Sequence, residues 1–250
     1  MRPLHSIASP ALWVGVLFVA LLLGMPELGP VFERAFPGVN PPVFERSSFF
    51  ALWLSHAGLV LAAGGAATIL GIALAIFVTR PIGHDFRALV STLAAIGQTF
   101  PPAAVLALAV PALGFGPRPT IVALFIYGLL PVIENAITGL EGVPAATREA
   151  ARGMGLSAWQ MLRDVDLPLA APVILAGVRV SVTIAIGTAT IGSTVGALTV
   201  GTPIFDGLAG NKLPFVIQGA VLVALFAILT DMLFARLEHW LQPPAAQPLV

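Results

Sequence analysis

Six stretches of this chain are almost free of charge and long enough to cross or nearly cross a bilayer. They run near residues 11–25, 50–79, 88–110, 120–138, 169–200 and 212–238. A hydrocarbon core takes roughly 20 apolar residues per helix. Inside it, every backbone N–H and C=O must find a partner within the protein, so a chain patterned in this way folds as helices. Only 10% of the residues are charged and 58% are hydrophobic, whereas a soluble domain carries about a quarter charged residues. Too little polar surface remains to face water. The sequence therefore predicts an all-α, polytopic membrane protein of about six transmembrane helices. The first span is short, and the long second and fifth are expected to tilt or bend.

The same composition removes several kinds of function. There is no cysteine, which excludes disulfides, thiolate metal sites and cysteine nucleophiles. The formal net charge is zero, so nothing points to nucleic acid, and no metal site or catalytic residue is predicted. The start, "MRPLHSIASPALWVGVLFVALLLGM", has a basic end and an apolar run, but no small-residue cleavage site follows Leu23, so it reads as a retained first span. Arginine and lysine concentrate on the cytoplasmic side of membrane proteins. With both termini inside, that side receives Arg2, Arg80, Arg87, Arg148, Arg152, Arg163 and Arg236. The outside receives Arg34, Arg46, Arg118 and Lys212, a balance of seven to four. Three regions are expected: residues 1–49, an N-terminal span and external loop; 50–239, the core; and 240–250, a proline-rich disordered tail. The repeated "VFER" at 31–34 and 43–46 reads as two short interfacial turns.

Against this background residues 141–168 stand out, because they turn charged, helix-favouring and glycine-punctuated on what the charge balance makes the cytoplasmic side. "PAATREAARGM", 144–154, favours helix, with Pro144 suited to a first turn. Gly155 can close that helix in the left-handed conformation. Ser157 and Gln160 have the spacing of a capping box for a second helix, expected to end before Leu167-Pro168 because the residue before proline avoids the helical region. Two short helices joined at a glycine make a compact knuckle, more ordered than a simple connector between spans requires.

The register of this loop resembles the EAA loop of ABC importer permeases: Glu149, Ala150 and Ala151, then Gly155, then Val165, Leu167 and Pro168. The resemblance extends over about residues 50–239. "GQTFPPAAVLALAV" at 97–110, "LLP" at 129–131, Asn135, Gly139 and Leu140, and "LPLAAPVILAGVRVSVTIAIGTATIGSTVGA" after the loop are similar to permeases for compatible solutes such as glycine betaine, choline and carnitine. It departs from them in "GALTVG" at 196–201, in Phe100 and in Glu134. The resemblance implies a type I importer permease fold in a bacterial inner membrane, with a cytoplasmic coupling helix in the loop. It implies that Glu149, Ala150, Ala151, Gly155, Leu167 and Pro168 couple the chain to an ABC ATP-binding subunit dimer. Small Ala150 and Ala151 permit close approach, and Glu149 could accept a charge-assisted hydrogen bond or cap its own helix. A second permease subunit, identical or related, and a periplasmic or lipid-anchored solute-binding protein complete the implied partners, with membrane lipid around them. No cofactor is expected in this chain. A P-loop needs Gly-Lys-Ser/Thr, and the only lysine, Lys212, precedes Leu213, so ATP and Mg belong on the partner.

Gln98, Thr99 and Pro101, with Asn135, Thr188, Thr190 and Ser193, are candidates for the translocation path. Prolines 101 and 102 interrupt an apolar span and free backbone carbonyls that need partners; a packing kink is the equal alternative. "GTATIGSTVGA", 187–197, puts Gly192 and Gly196 one helical turn apart and reads first as a helix-packing face and second as pore lining. Glu134 and Arg179 are expected to snorkel or to form ion pairs near the cytoplasmic ends of spans, with Asp231 near the same face. His56 reads as a hydrogen-bonded structural histidine. No aromatic cage for a quaternary ammonium emerges from the spacing, and the resemblance implies that tight recognition belongs to the binding protein. Methionine, nitrate and sulfonate permeases share the EAA loop and remain alternatives. An ion-coupled secondary transporter would need intramembrane carboxylates or an inverted repeat. An intramembrane serine hydrolase would rest on Ser91, Ser181 or Ser193 merely coexisting with His56.

Overall fold

The computed structural model describes residues 10–241. The first nine residues, and residues 242–250 of the tail expected to be disordered, lie outside the described residues. Among the described residues there is no strand. The helices are α1 (Pro10–Gly24), α2 (Gly29–Ala35), α3 (Phe49–Val78), α4 (Arg87–Thr99), α5 (Pro102–Leu113), α6 (Pro117–Glu141), α7 (Ala145–Gly153), α8 (Ala158–Gln160), α9 (Leu167–Ala189), α10 (Thr202–Ala209) and α11 (Leu213–Leu241). A 3-10 turn, Met25–Leu28, joins α1 to α2, so the first apolar segment reaches Ala35 rather than stopping near residue 25. Among the described residues five helical segments are long and apolar enough to span a bilayer, six if the bent pair of α4 and α5 counts as one span. The 30 residues of α3 extend about 45 Å, well beyond a hydrocarbon core of about 30 Å.

Three expectations need correction. The third span is not one rod from 88 to 110: α4 and α5 are bent by 94° at a break. Phe100 and Pro101 both lie in extended backbone, with ψ of 140° and 138°, because a residue followed by proline is driven from the helical region. The fifth span does not continue to residue 200. It ends at Ala189 and tightens into a 3-10 turn, Ile191–Val195, before Gly196 takes a left-handed conformation at φ +88°. Hydroxyls cause the tightening: Thr190 donates to the Gly187 carbonyl (2.6 Å), Ser193 to Thr190 (2.8 Å) and Thr194 to Ile191 (2.7 Å), each competing with the helix ladder. Gly192 and Gly196 are therefore not a helical pair; a Cβ on Gly192 would lie 2.6 Å from Thr120. Finally, the two "VFER" copies differ. The first is inside α2, where Pro30 occupies the first turn, and the second is irregular behind Pro41-Pro42.

The chain folds as two compact units, each assembled from segments distant in sequence. The first contains described residues up to Ala63, Pro101–Leu124 and Thr183–Leu233. Phe18, Leu22, Phe44, Phe49, Leu52, Phe215 and Leu222 build its core, with the Phe44 and Phe215 rings edge to face at 5.6 Å. Buried Gln218 fastens the irregular segment by accepting from the Phe44 N–H (3.0 Å) and donating to the Pro42 carbonyl (2.9 Å). The second unit contains Gly64–Phe100, Phe125–Val182 and the described residues from Phe234 onward. Its core is Ala75, Val78, Ala94, Ile133, Ala136, Ile137, Leu140, Leu162, Ala170 and Ile174. Lipid is as apolar as these side chains, so close packing rather than burial from water holds such a core. The glycines show how close: a Cβ on Gly139 would meet the Ala170 carbonyl at 3.1 Å, and one on Gly177 the Pro131 carbonyl at 2.6 Å.

Candidate functional site

The polar loop folds as a bent knuckle. Helix α7 follows Pro144, which stands one residue before it rather than in its first turn and leaves no side-chain cap. Glu149, five residues into the nine-residue helix, is exposed and does not cap it. Gly155 has φ +82°, a conformation that only glycine adopts cheaply. Ser157 and Gln160 form both bonds of a capping box, at 3.3 and 2.9 Å. The second helix, however, does not end before Leu167-Pro168. It continues as a π-helical turn, Met161–Asp166, directly into α9. The Leu167 N–H donates to the Leu162 carbonyl five residues back. The widened turn thereby keeps Leu167 helical in front of a proline that has no N–H to offer.

Only Ala151 of α7 is buried. Ala150, Gly155 and Pro168 are exposed and Leu167 is half-buried. Two large apolar side chains also stand out from the knuckle, Met154 at 74% and Trp159 at 65% exposure. Neither was apparent from spacing, although a tryptophan in a charged loop was the available signal. Methionine and tryptophan are favoured at protein contacts.

Under the knuckle lies a feature that the sequence did not reveal. Asp166, on the last π position, is 0% exposed and binds two arginines. Its Oδ2 accepts from Arg80 Nη2 at 2.7 Å, and its Oδ1 from Arg148 Nε at 2.8 Å. Arg148 Nη2 also donates to the Leu140 carbonyl at 2.5 Å, near the end of α6. One carboxylate thus ties α7, the end of α6, the segment after α3 and the root of α9. A cavity of about 240 Å³ beside it is lined by Arg80, Arg148, Arg152, Glu141 and Met161. Nearby Arg87 pairs with Glu141 on the exposed surface.

Gln98 has a clear local explanation. A proline at position 131 cannot donate to the carbonyl four residues earlier, which belongs to Tyr127, and Gln98 Nε2 donates to that carbonyl at 2.7 Å. Asn135 bonds the Pro131 carbonyl at 2.8 Å and faces Gly177. Thr99 bonds the Ile96 carbonyl at 2.8 Å. Of the candidate path residues, Gln98, Thr99 and Asn135 belong to one unit, and Pro101, Thr188, Thr190 and Ser193 to the other.

His56 is fully buried. Its Nε2 lies 3.1 Å from the carbonyl of Ile186, one of the last four of α9, and its Nδ1 accepts from the Val200 N–H at 3.3 Å. Those partners assign the neutral tautomer with the proton on Nε2, and the ring holds the end of α9 to the turn that follows. Arg179, midway along α9 rather than at its end, pairs with Glu238 at 3.2 Å, the ion pair that stood beside snorkelling as its expected role. Among the described residues no cluster of His, Asp and Glu could hold a metal ion.

Residues 67–243 match the family described as binding-protein-dependent transport system inner membrane component. The chain belongs to this family. The permease is 43% identical over 188 residues to the osmoprotectant import permease protein OsmY of Salmonella typhimurium, covering 75% of this chain and 80% of that one. It is 37% identical to the glycine betaine/carnitine/choline transport system permease protein OpuCB of Bacillus subtilis, over 72% of this chain and 86% of that one. With the choline transport system permease protein OpuBB of Bacillus subtilis it shares 43% over 152 residues, 61% and 70% of the two chains. Its fold matches a chain of the MetNI methionine ABC transporter in an inward-facing conformation. There the TM-score is 0.68 at 21% identity, covering 76% of this permease and 94% of that chain. A chain of an amino acid ABC transporter matches with a TM-score of 0.63 at 18% identity, over 88% and 98%. The permease is therefore a multi-pass inner-membrane transport component with a type I importer fold.

Proposed function

We propose that this permease forms the passage of an ATP-driven importer for a small compatible solute, a quaternary amine of the glycine betaine, choline or carnitine kind. The observation that carries the solute class is its 36 to 43% identity, over most of its length, to permeases named for osmoprotectants, choline and carnitine. In this reading the termini and the knuckle face the cytoplasm, and α7 docks on a separate ATP-binding subunit, one of a pair serving two permease subunits. Glu149, Ala150 and Gly155 form the docking surface, Ala151 is buried beneath it as the contact of α7 with its own chain, and Leu167 and Pro168 lead into α9. Exposed Met154 and Trp159 add apolar anchors of the type that dominate contact energies. ATP and Mg act on the partner, and a binding protein outside delivers the solute. Gln98, Thr99, Pro101, Asn135, Thr188, Thr190 and Ser193 remain the residues proposed for the path, although the hydrogen bonds of Gln98 and Asn135 already serve helix packing.

The test is reconstitution of the permease with its ATPase and binding protein in proteoliposomes. Accumulation of labelled glycine betaine or choline that requires ATP on the ATPase side is the expected result. Uptake driven by an ion gradient without ATP, or accumulation of methionine in place of quaternary amines, would overturn the proposal.

A further inference from the structure

We infer that Asp166 is a positioning residue for coupling: its buried carboxylate makes α7 and the inner ends of the membrane helices move as one body. The inference rests on the proposed docking of α7 on an ATP-binding partner and goes further by naming what carries the motion inward. Helix α7 has nine residues, of which Ala151 alone is buried. A helix so short is marginal without tertiary ties. Besides buried Ala151, Arg148 supplies a polar one, reaching the fully buried carboxylate at 2.8 Å and the Leu140 carbonyl at 2.5 Å. The other carboxylate oxygen is taken by Arg80 at 2.7 Å, which brings in the segment that follows α3. Asp166 itself is part of the π turn that becomes α9.

The carboxylate therefore gives α7 a side-chain link to the root of α9 besides the chain itself, and through its second arm a link to the segment after α3. The geometry favours transmission over mere anchorage. The arginine side chains are 27% and 33% exposed and border a cavity of about 240 Å³, so the cluster lies at an open margin, with space for it to be displaced as a unit. A buried charge cannot release both partners without large cost, so the arms must move together or exchange. The Arg87–Glu141 pair close by is exposed on both sides and lacks this constraint.

The experiment uses the complete complex in proteoliposomes and measures solute moved per ATP hydrolysed. Asp166→Asn, Arg80→Gln and Arg148→Gln should assemble with the ATPase and hydrolyse ATP, while uptake per ATP falls about tenfold, a coupling change of ordinary size. Combining Asp166→Asn with Arg148→Gln should add little to either single loss, since both break one link. Asp166→Glu should restore part of the uptake, and Glu141→Gln should leave the ratio unchanged. Unchanged uptake per ATP in assembled Asp166→Asn or Arg80→Gln complexes would overturn the inference. A loss of assembly in all three variants, or a loss of uptake only in proportion to assembly, would overturn it too, because it would make the cluster a structural anchor. A wild-type complex that shows no ATP-driven uptake sinks the proposed function instead, a result distinct from failure of the variants alone.

Discussion

Gln98 and Pro131 should behave as a compensating pair. Proline at 131 withdraws the N–H that would serve the Tyr127 carbonyl, and Gln98 replaces it at 2.7 Å. Tyr127 is only 7% exposed, so Gln98→Leu leaves a carbonyl without a donor in a nearly dry place. Stranding a buried polar group costs about 1–3 kcal/mol. Hydrogen bonds between membrane helices average about 0.6 and reach about 1.7 kcal/mol in mutant cycles, which makes about 1–2 kcal/mol the working value. For a chain of this size that is a drop in thermal midpoint of about 2–8 °C. Pro131→Ala should be close to neutral alone, because the N–H it restores shares a carbonyl whose second lone pair can accept it beside Gln98. In the double variant that N–H serves the Tyr127 carbonyl in place of glutamine, and most of the loss should be recovered. Thermal unfolding of the purified complex in detergent, followed through the four variants, measures the interaction. If the double variant loses as much as Gln98→Leu alone, Gln98 is not there to serve the proline, and the reasoning fails.

Two further outcomes can be read in the same melts. Gly177→Ala would set a Cβ 2.6 Å from both the Pro131 carbonyl and Asn135 Cβ, whereas Gly187 has nothing within 4 Å; the first should destabilise by about 1–3 kcal/mol, and Gly187→Ala should stabilise by about 0.5–1 kcal/mol. Gly155 has open space around it but φ +82°, so Gly155→Ala should cost about 1–2 kcal/mol from backbone strain alone. Gly155→Asn should cost less, and the thermal midpoint should fall in the order Gly, Asn, Ala.

Local chemistry was legible wherever neighbours in sequence determine it. Charge scarcity marked the spans, Gly155 announced its turn, and Ser157 with Gln160 announced a cap. His56 was assigned a hydrogen-bonded structural role and has buried backbone partners, and Arg179, expected to snorkel or to pair, is paired with half-buried Glu238. What escaped depended on residues far apart in the chain. Nothing in the spacing joins Arg80 to Asp166 across 86 positions, nor Gln98 to Tyr127. The rule that a residue before proline leaves the helix was applied at Leu167, where it failed, and not at Phe100, where it holds and would have broken the third span. At Phe100 the chain could turn away into extended backbone; at Leu167 a π turn offered a helical alternative. The fifth span was overextended because hydropathy does not register threonine and serine hydroxyls bonding back to their own backbone.

The π turn also bears on the number of residues between Gly155 and Pro168. Its i→i+5 bonds wind the chain less per residue, so its six residues sweep about the same angle as five of an ordinary α-helix. Losing a single residue between Met161 and Asp166 would let the stretch relax to ordinary helix and leave the aspartate at nearly the same bearing toward both arginines. The extra residue is slack wound into the root of α9. A one-residue deletion here should be tolerated better than one inside α9, where regular winding would turn every later side chain by about 100°.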